Sequence, residues 1–208
     1  MENRNDKWLE VAMKLQSLAQ NGLAYCNNPF DKERYEQIRE IAADMLADRT
    51  DLPVEKIRDL FCCESGYQTP KVDTRAAVFK KGKILLVHEK NGTWSLPGGW
   101  CDADQSVASN AVKEVKEESG MEVRAERLIA VQDWRRHNVT NYVFGVVKIF
   151  VLCRETGGKF EENIETTEVR YFGREELPKQ LAEEKNTRKQ IEMCFDAYQD
   201  PDWKVQFD

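Results

Sequence analysis

The stretch from Gly99 to Met121 constrains the fold of this chain more than any other part of the sequence. It reads Gly-x5-Gln-x7-Lys-Glu-Val-x-Glu-Glu-x-Gly-Met, and its second half is typical of a helix that ends at Gly120. With about 100° per residue, three glutamates fall on one face of this helix. Those glutamates are Glu114, Glu117 and Glu118. An apolar stripe well away from them is expected to pack on the core: Ala108, Ala111, Val112 and Val115.

Three carboxylates on one short helix favour a divalent metal ion. Like charges at positions i and i+4 repel by a few tenths of a kcal/mol, so Glu114 beside Glu118 is unfavourable unless a cation lies between them. Hard oxygen ligands favour Mg²⁺ or Mn²⁺. Charged helix faces are usually just solvated surface. It is therefore the spacing of the whole stretch, and not the glutamates alone, that indicates a metal site.

The stretch resembles the Nudix box, G-x5-E-x7-R-E-U-x-E-E-x-G-U, in which U is aliphatic. It departs from the box at Gln105, where the pattern has Glu, and at Lys113, where it has Arg. The resemblance implies an α+β fold, an α/β/α sandwich with a mixed sheet in which the box forms a loop, a helix and a loop. It also implies metal-dependent cleavage of a pyrophosphate in a nucleoside diphosphate linked to another group. In the family the residues at these two positions brace the loop against the helix. The resemblance therefore leaves open how Gln105 and Lys113 affect the rigidity of the loop and, through it, the rate of hydrolysis.

The resemblance extends to a bacterial Nudix subgroup that carries a helical N-terminal extension. The matching segments are Gly22–Tyr25, Asp31–Tyr35, Gly66–Arg75 and Trp94–Trp100. The subgroup includes enzymes named as CDP-choline pyrophosphatases and others named as ADP-ribose pyrophosphatases. This implies a nucleoside diphosphate substrate, with CDP-choline or a related CDP-alcohol placed slightly ahead of ADP-ribose.

The length of 208 residues suits one α/β domain with a small appendage. We expect a helical N-terminal domain over residues 1–66 and a Nudix hydrolase domain over residues 67–208. Apolar residues at helical spacing predict two helices over 4–24 and 31–48, packed as a hairpin, and a third short helix that ends at Leu60. Asp31 and Asp51 or its neighbour are the expected N-caps. So small a helical unit has little core of its own, so we expect it to pack on the Nudix domain or on a second copy of the chain. We predict a homodimer formed through these helices.

In the second domain we expect a linker over Gly66–Asp73 and then alternating strands and helices. The predicted strands cover residues 75–79, 84–88, 94–96, 128–133, 142–153 and 169–172. The predicted helices cover residues 106–119 and 187–198.

Composition excludes several classes of protein. No apolar stretch approaches the roughly 20 residues that cross a bilayer, and the N-terminus lacks the apolar region of a signal peptide, so the sequence predicts a cytoplasmic protein without a membrane partner. A net charge of −6 argues against a broad nucleic-acid surface, although a short RNA end is still a candidate substrate. Six cysteines without a C-x-x-C motif and only two histidines make a zinc site improbable.

The box suggests roles for individual residues. Glu114 and Glu118 are expected to bind metal directly, Glu117 to bind a second ion or a water, and a carbonyl of the Gly98-Gly99 turn to add another oxygen. The general base is less defined and is sought in an acidic loop before the last strand. Its candidates are Glu161, Glu162, Glu165 and Glu168, with Glu165 slightly favoured and Glu117 as an alternative.

Substrate contacts are expected from residues at the ends of strands. Arg75 lies at a strand start, and Trp134, Arg135 and Arg136 form a corner with a ring for stacking and two phosphate-binding guanidinium groups. His88 lies at a strand end near the glycine turn.

Two readings compete with hydrolysis of a free nucleotide. Trimming of RNA ends belongs to the same chemistry. A non-catalytic nucleotide sensor would explain the altered Gln105 and Lys113, but the three intact glutamates argue against it.

Overall fold

The computed structural model describes residues 4–48, 53–62, 65–138 and 144–208. Within it, one compact unit contains the described residues up to Pro70 together with residues 144–145, and a second contains the described residues 71–138 and 146–208. The division between Pro70 and Lys71 falls within the predicted linker Gly66–Asp73, whereas a boundary at residue 66 stays a prediction.

The first unit is helical. Its helices are α1 (Arg4–Tyr25), α2 (Pro29–Ala47) and α3 (Val54–Phe61). Helices α1 and α2 form the predicted hairpin around small residues such as Ala12, Ala42 and Ala43, which allow the helices to approach closely. The predicted cap at Asp31 is wrong, because the Asn28 side chain accepts a hydrogen bond from the Phe30 N–H at 2.9 Å. Asp51, which was predicted with its neighbour as the cap of the third helix, lies outside the described residues.

The second unit is built on a mixed sheet. Its strands are β1 (Lys71–Lys80), β2 (Lys83–Glu89), β3 (Trp94–Ser95), β4 (Met121–Asp133), β5 (Val146–Gly158), β6 (Thr166–Phe172) and β7 (Gln206–Phe207). Its α-helices are α4 (Val107–Ser119), α5 (Trp134–His137) and α6 (Arg188–Gln199). The strands run in the order β3-β2-β1-β5-β4-β7, and β6 pairs with β2. Strands β1 and β5 are parallel, whereas β1 and β2 form an antiparallel hairpin.

Helices cover both faces of this sheet. In β1, Ala77 and Phe79 face the core that contains α6, while Ala76 and Val78 face the core that contains α4. This alternation follows from the two-residue period of a strand, and it explains why β1 is buried along most of its length. The predicted α/β/α sandwich is confirmed.

Several predicted boundaries are wrong by a few residues. Strand β1 begins at Lys71, inside the predicted linker. Strand β4 begins at Met121 rather than at 128. Its first residues alternate between apolar and polar side chains and are held in the strand by backbone pairing with β5. Ala108 was expected in the apolar stripe of α4, but it is exposed near the first turn.

No helix within the described ranges combines the length and the apolar character that crossing a membrane requires.

Candidate active site

Helix α4 begins and ends at the residues that local chemistry favours. The Ser106 hydroxyl accepts a hydrogen bond from the Ser109 N–H at 3.1 Å, which caps the first turn. Gly120 ends the helix in the left-handed conformation with φ of 67°, where a side chain would be strained. Ala111 and Val115 are buried against the sheet, so the opposite side of the helix presents its glutamates.

The turn at Gly98 and Gly99 is pressed against strand β1. Gly98 has φ of 146°, and a Cβ atom there would lie 2.0 Å from the Thr74 carbonyl oxygen. The Thr74 N–H donates to the Gly99 carbonyl at 2.8 Å. A glycine is therefore required at position 98, because no other residue fits both the backbone conformation and the space.

Two of the three glutamates converge on this turn. The Glu118 Oε2 accepts a hydrogen bond from the Gly98 N–H at 2.9 Å. A Cβ atom at Gly99 would lie 2.9 Å from the Glu114 Oε2. Glu117 is different, because 57% of its side chain is exposed and its carboxylate lies 3.0 Å from the Lys113 Nζ.

Burial changes the electrostatics of the converging carboxylates. Burial raises the pKa of Glu118 to about 7, while the charges of Arg75 and Lys185 and the Gly98 N–H oppose that rise. Burial also raises the pKa of Glu114, and the neighbouring Lys113 ammonium opposes it. Both carboxylates are thus costly to ionise in the protein alone, and a cation placed between them would remove that cost.

Lys113 places a positive charge beside the glutamates. Its Nζ lies 3.0 Å from Glu117, 3.2 Å from Asp102 and 3.5 Å from Glu114. Hydrogen bonds to Glu117 and Asp102 raise the pKa of Lys113. The ion pair that joins α4 to the loop before it is thus formed by Lys113 and Asp102. The Gln105 backbone N–H donates to the Asp102 carbonyl at 3.0 Å.

The residues fit a hard divalent cation by their chemistry. Carboxylate oxygens meet at a turn whose space an added Cβ would fill, and oxygen is the donor that Mg²⁺ and Mn²⁺ prefer. Among residues 4–48, 53–62, 65–138 and 144–208, however, no three His, Cys, Asp or Glu side chains are already grouped as ligands. The reason is visible at the site, since Lys113 holds Glu117 and the Gly98 N–H holds Glu118.

Arg75 lies behind the turn rather than at its surface. Only 5% of its side chain is exposed, and its guanidinium lies 2.8 Å from Asp73 and donates to the Leu96 carbonyl at 3.3 Å. Asp73 also accepts from the buried Lys148 at 2.7 Å. The burial argues against the direct substrate contact expected for Arg75 and gives this residue a supporting place beneath Glu118. The sequence signal for Asp73 and Lys148 was a charge within each apolar strand.

The corner at residues 134–136 is not arranged as expected. Trp134 is buried, which removes its ring as a stacking surface for a nucleotide, and the Arg135 guanidinium pairs with Asp133 at 2.6 Å. Arg136 is exposed and lines a cavity of about 290 Å³ together with His137 and Lys189. None of the residues that line this cavity belongs to α4 or to the glycine turn.

His88 lies in β2, which pairs with β6, and Glu165 directly precedes β6. The His88 Nδ1 is 2.9 Å from the Thr167 hydroxyl, and its ring packs on Trp94. Glu165 is exposed in the acidic loop, where its N–H donates to the Asn163 side chain at 2.9 Å.

Asn163 is a residue that sequence reasoning missed. Its side-chain amide donates to the carbonyl oxygens of Glu117 and Glu118 at 3.1 and 3.2 Å. It thereby ties the loop of Glu165 to the end of α4. The local signal was weak, because an asparagine before a turn usually bonds only to its own backbone. The other acidic candidates Glu161 and Glu162 line an open groove of about 650 Å³ with Glu117 and Asn163.

Comparison with known proteins agrees with this architecture. A family model of the NUDIX domain matches residues 70–193, and one described as "UDP-X-like, N-terminal oligomerisation domain" matches residues 6–61. A Bacillus subtilis strain 168 protein named putative ADP-ribose pyrophosphatase YjhB is 44% identical over 203 residues, which is 97% of each chain.

Two crystal structures are similar over most of their length. One is an ADP-ribose pyrophosphatase from Streptococcus suis, 49% identical, with a TM-score of 0.63 over 67% of this chain and 100% of that one. The other is a UDP-X diphosphatase, 31% identical, with a TM-score of 0.63 over 98% of this chain and 100% of that one. With a Nudix domain matched over more than half of its length, and with the box on a capped helix beside a glycine turn, the chain belongs to the Nudix family of pyrophosphohydrolases.

Proposed function

We propose that this protein hydrolyses the pyrophosphate bond of a nucleoside diphosphate linked to a second group, with Mg²⁺ or Mn²⁺ as its cofactor. The observation that carries the proposal is the convergence of Glu114 and Glu118 on the Gly98-Gly99 turn, at 2.9 Å for the hydrogen bond between Glu118 and Gly98. Two desolvated carboxylates beside a turn without side chains make a place where a cation and a phosphate both fit.

The proposed metal ligands are Glu114, Glu117, Glu118 and the carbonyl oxygen of Gly98. A bound divalent ion supplies charge neutralisation at the phosphoryl oxygens and lowers the pKa of a water. Lys113 contacts both Glu114 and Glu117, so it keeps these carboxylates close together and limits their repulsion.

The proposed general base is Glu165. Asn163 holds its loop against the end of α4, which supports a position near the glutamates. Glu117 is the alternative base. It is the most exposed of the three box glutamates and can therefore reach a water without losing a structural contact to the turn.

The proposed substrate class is a nucleoside diphosphate joined to a sugar, with ADP-ribose first. The names of the Bacillus and Streptococcus relatives support this order, and the name of the UDP-X diphosphatase supports a uridine nucleotide as the next candidate. CDP-choline comes after them here, although it was first in the reading of the sequence. A choline group binds against the faces of aromatic rings; of the tryptophans beside the expected site, Trp134 is buried and Trp100 is 44% exposed.

A homodimer through the N-terminal helices is a second part of the proposal. The description of the family model at residues 6–61 supports it. Exposed apolar side chains on α1 and α2, among them Val11, Leu18 and Ile41, are the surface that a second copy would cover. A cytoplasmic location stays a prediction.

One assay tests the activity. The protein is incubated with Mg²⁺ or Mn²⁺ and ADP-ribose, a UDP-sugar, CDP-choline, NADH, a dinucleoside polyphosphate or a short RNA, and the nucleoside monophosphate released is measured by chromatography. Glu118→Gln should abolish turnover, and chelation by EDTA should do the same. Glu175→Gln is the matched control, because Glu175 is an exposed glutamate of the 3-10 helix Arg174–Glu176, outside both α4 and the glycine turn.

The outcomes separate the competing functions. Release from ADP-ribose supports the proposal, whereas release from RNA alone favours end trimming. Turnover of no compound favours the nucleotide sensor, which the ion pairs of Lys113 across the glutamates would explain. Full activity of Glu118→Gln would contradict the proposed ligand set.

A further inference from the structure

A second pair of charges lies beside Ser95, in the segment that leads into the glycine turn. The Lys185 Nζ is 2.8 Å from the Glu89 Oε1, and the Ser95 hydroxyl donates to the same oxygen at 2.8 Å. Glu89 ends strand β2, Ser95 belongs to β3, and Lys185 precedes α6. The Glu89 carboxylate thus has two partners, and it retains the hydrogen bond from Ser95 when the Lys185 ammonium moves away.

The segment that carries Lys185 is fixed to strand β3. The Leu96 N–H donates to the Asn186 side chain at 2.8 Å, and Trp94 exchanges backbone hydrogen bonds with the same segment at 2.9 and 3.0 Å. The Lys185 carbonyl accepts from the buried Lys148 at 2.7 Å. Hydrogen bonds therefore fix the backbone around Lys185, while its partly exposed side chain can still move.

Lys185 belongs to a segment that is bound just before the glycine turn, because its neighbour Asn186 accepts from the Leu96 N–H, two residues before Gly98. Burial raises the pKa of Glu118 to about 7, and Lys185 is among the charges that oppose this rise. Arg75 in turn interacts with both Glu118 and Glu89. Two cations and two carboxylates thus surround the Ser95–Gly98 segment.

The two cations differ in how available they are. Arg75 is 5% exposed and is held by Asp73, whereas 31% of the Lys185 side chain is exposed and its described ion pair is with Glu89. Lys113, the cation beside Glu114 and Glu117, already forms ion pairs with Asp102 and Glu117. A diphosphate that approaches Glu118 would therefore meet Lys185 as the mobile cation.

We propose that Lys185 is a substrate-binding residue that leaves Glu89 to contact a phosphoryl oxygen of the diphosphate, and that Glu89, which Ser95 keeps in place, is the partner of Lys185 in the absence of substrate. The inference rests on the proposed function, since it names a binding residue of that same site. A lysine suits the exchange, because its ammonium is a point charge on a flexible stem and can change partners.

Kinetics of four variants test this role. Lys185→Met should raise KM about tenfold with a smaller change in kcat, since it removes one charge-assisted contact. Lys185→Arg should recover most of the affinity. Glu89→Gln should leave KM unchanged or lower it, because the partner that competes with the phosphate loses its charge. Lys179→Met, an exposed lysine of the same connection, is the control and should behave as wild type.

The direction of the Glu89→Gln effect distinguishes binding from a structural role. If the pair served only to fix the segment, Lys185→Met and Glu89→Gln would raise KM and lower the melting temperature in parallel. That result would overturn the inference. Circular dichroism of each variant verifies the fold, and if Lys185→Met does not fold, Glu89→Gln and Lys185→Arg decide the question.

Calorimetry separates this inference from the proposed function. Binding of ADP in the presence of Mg²⁺ needs no turnover, and we expect about tenfold weaker binding by Lys185→Met. Weaker binding by the variant supports the inference even if wild type hydrolyses none of the offered compounds. Equal binding by wild type and Lys185→Met, or binding by neither, would overturn it.

Discussion

Replacing Glu118 by Gln should stabilise the metal-free protein above neutral pH. Burial raises the pKa of this carboxyl from the ordinary 4.5 to about 7, so its ionised form is disfavoured in the folded state. The folded state therefore holds the Glu118 proton more tightly than the unfolded chain does. As a result, the free energy of unfolding falls as the pH rises from about 4.5 through 7. At about 1.4 kcal/mol per pKa unit, the ionised carboxylate costs about 3 kcal/mol. A glutamine avoids this cost, and its amide oxygen can still accept from the Gly98 N–H.

The assay is urea unfolding in EDTA, followed by tryptophan emission at pH 5 and pH 8. Four of the five tryptophans lie in the unit that contains Glu118, so the signal follows that unit. At pH 8 the variant should be more stable by about 3 kcal/mol, and at pH 5 the difference should fall below about 1 kcal/mol. Adding Mg²⁺ should narrow the difference at pH 8, because the ion stabilises the folded wild type that binds it.

Glu117→Gln is the matched control for this experiment. Its carboxylate is exposed and pairs with Lys113 at the surface, so its replacement should give no stabilisation at either pH. Equal stability of wild type and Glu118→Gln at pH 8, or a difference that does not change with pH, would refute the reasoning about burial.

Four further substitutions test how the site is supported. Gly98→Ala should lower the free energy of unfolding by about 3 kcal/mol or more, because its Cβ would lie 2.0 Å from a carbonyl oxygen of β1; a stable variant would contradict this. Gly99→Ala meets only the end of a glutamate side chain at 2.9 Å, so urea unfolding should find its stability within about 0.5 kcal/mol of wild type, while kcat falls. Asp73→Ala leaves two buried cations without their carboxylate, and a loss of about 3–5 kcal/mol should be measured in the same way; a loss below 1 kcal/mol would argue against the buried pair. Asn163→Ala removes the tie between the Glu165 loop and α4, so steady-state kinetics should show kcat reduced about tenfold with KM little changed; unchanged kcat would argue against Glu165 as the base.

Local sequence chemistry was sufficient wherever the physical cause is local. Helix α4 could be placed from its Ser106 cap and the glycine at 120, since both act within one turn of the chain. The hairpin of β1 and β2 could likewise be placed from the turn at Gly82. The limits of β4 were misjudged, because its polar first half is held by pairing with β5, a partner distant in the sequence.

Roles that depend on distant partners could not be assigned in this way. Arg75 was expected to contact the substrate, yet it is buried and pairs with Asp73, to which the buried Lys148 also binds. Trp134 was expected to stack on a nucleotide base, yet its side chain is buried in the fold. Lys185 and Glu89 carried no local signal at all, because they are brought together only when the segment before α6 binds to β3.

The sequence by itself determined the family, the sandwich fold and the three glutamates of α4, because spacing along one helix and the residues that cap it are properties of a continuous stretch of chain. Only the tertiary structure decided which charges are buried, which are paired and which can reach a ligand. The physical reason is that desolvation and ion pairing depend on distances between atoms of different strands and loops, and those distances exist only after the sheet has formed and both of its faces are covered.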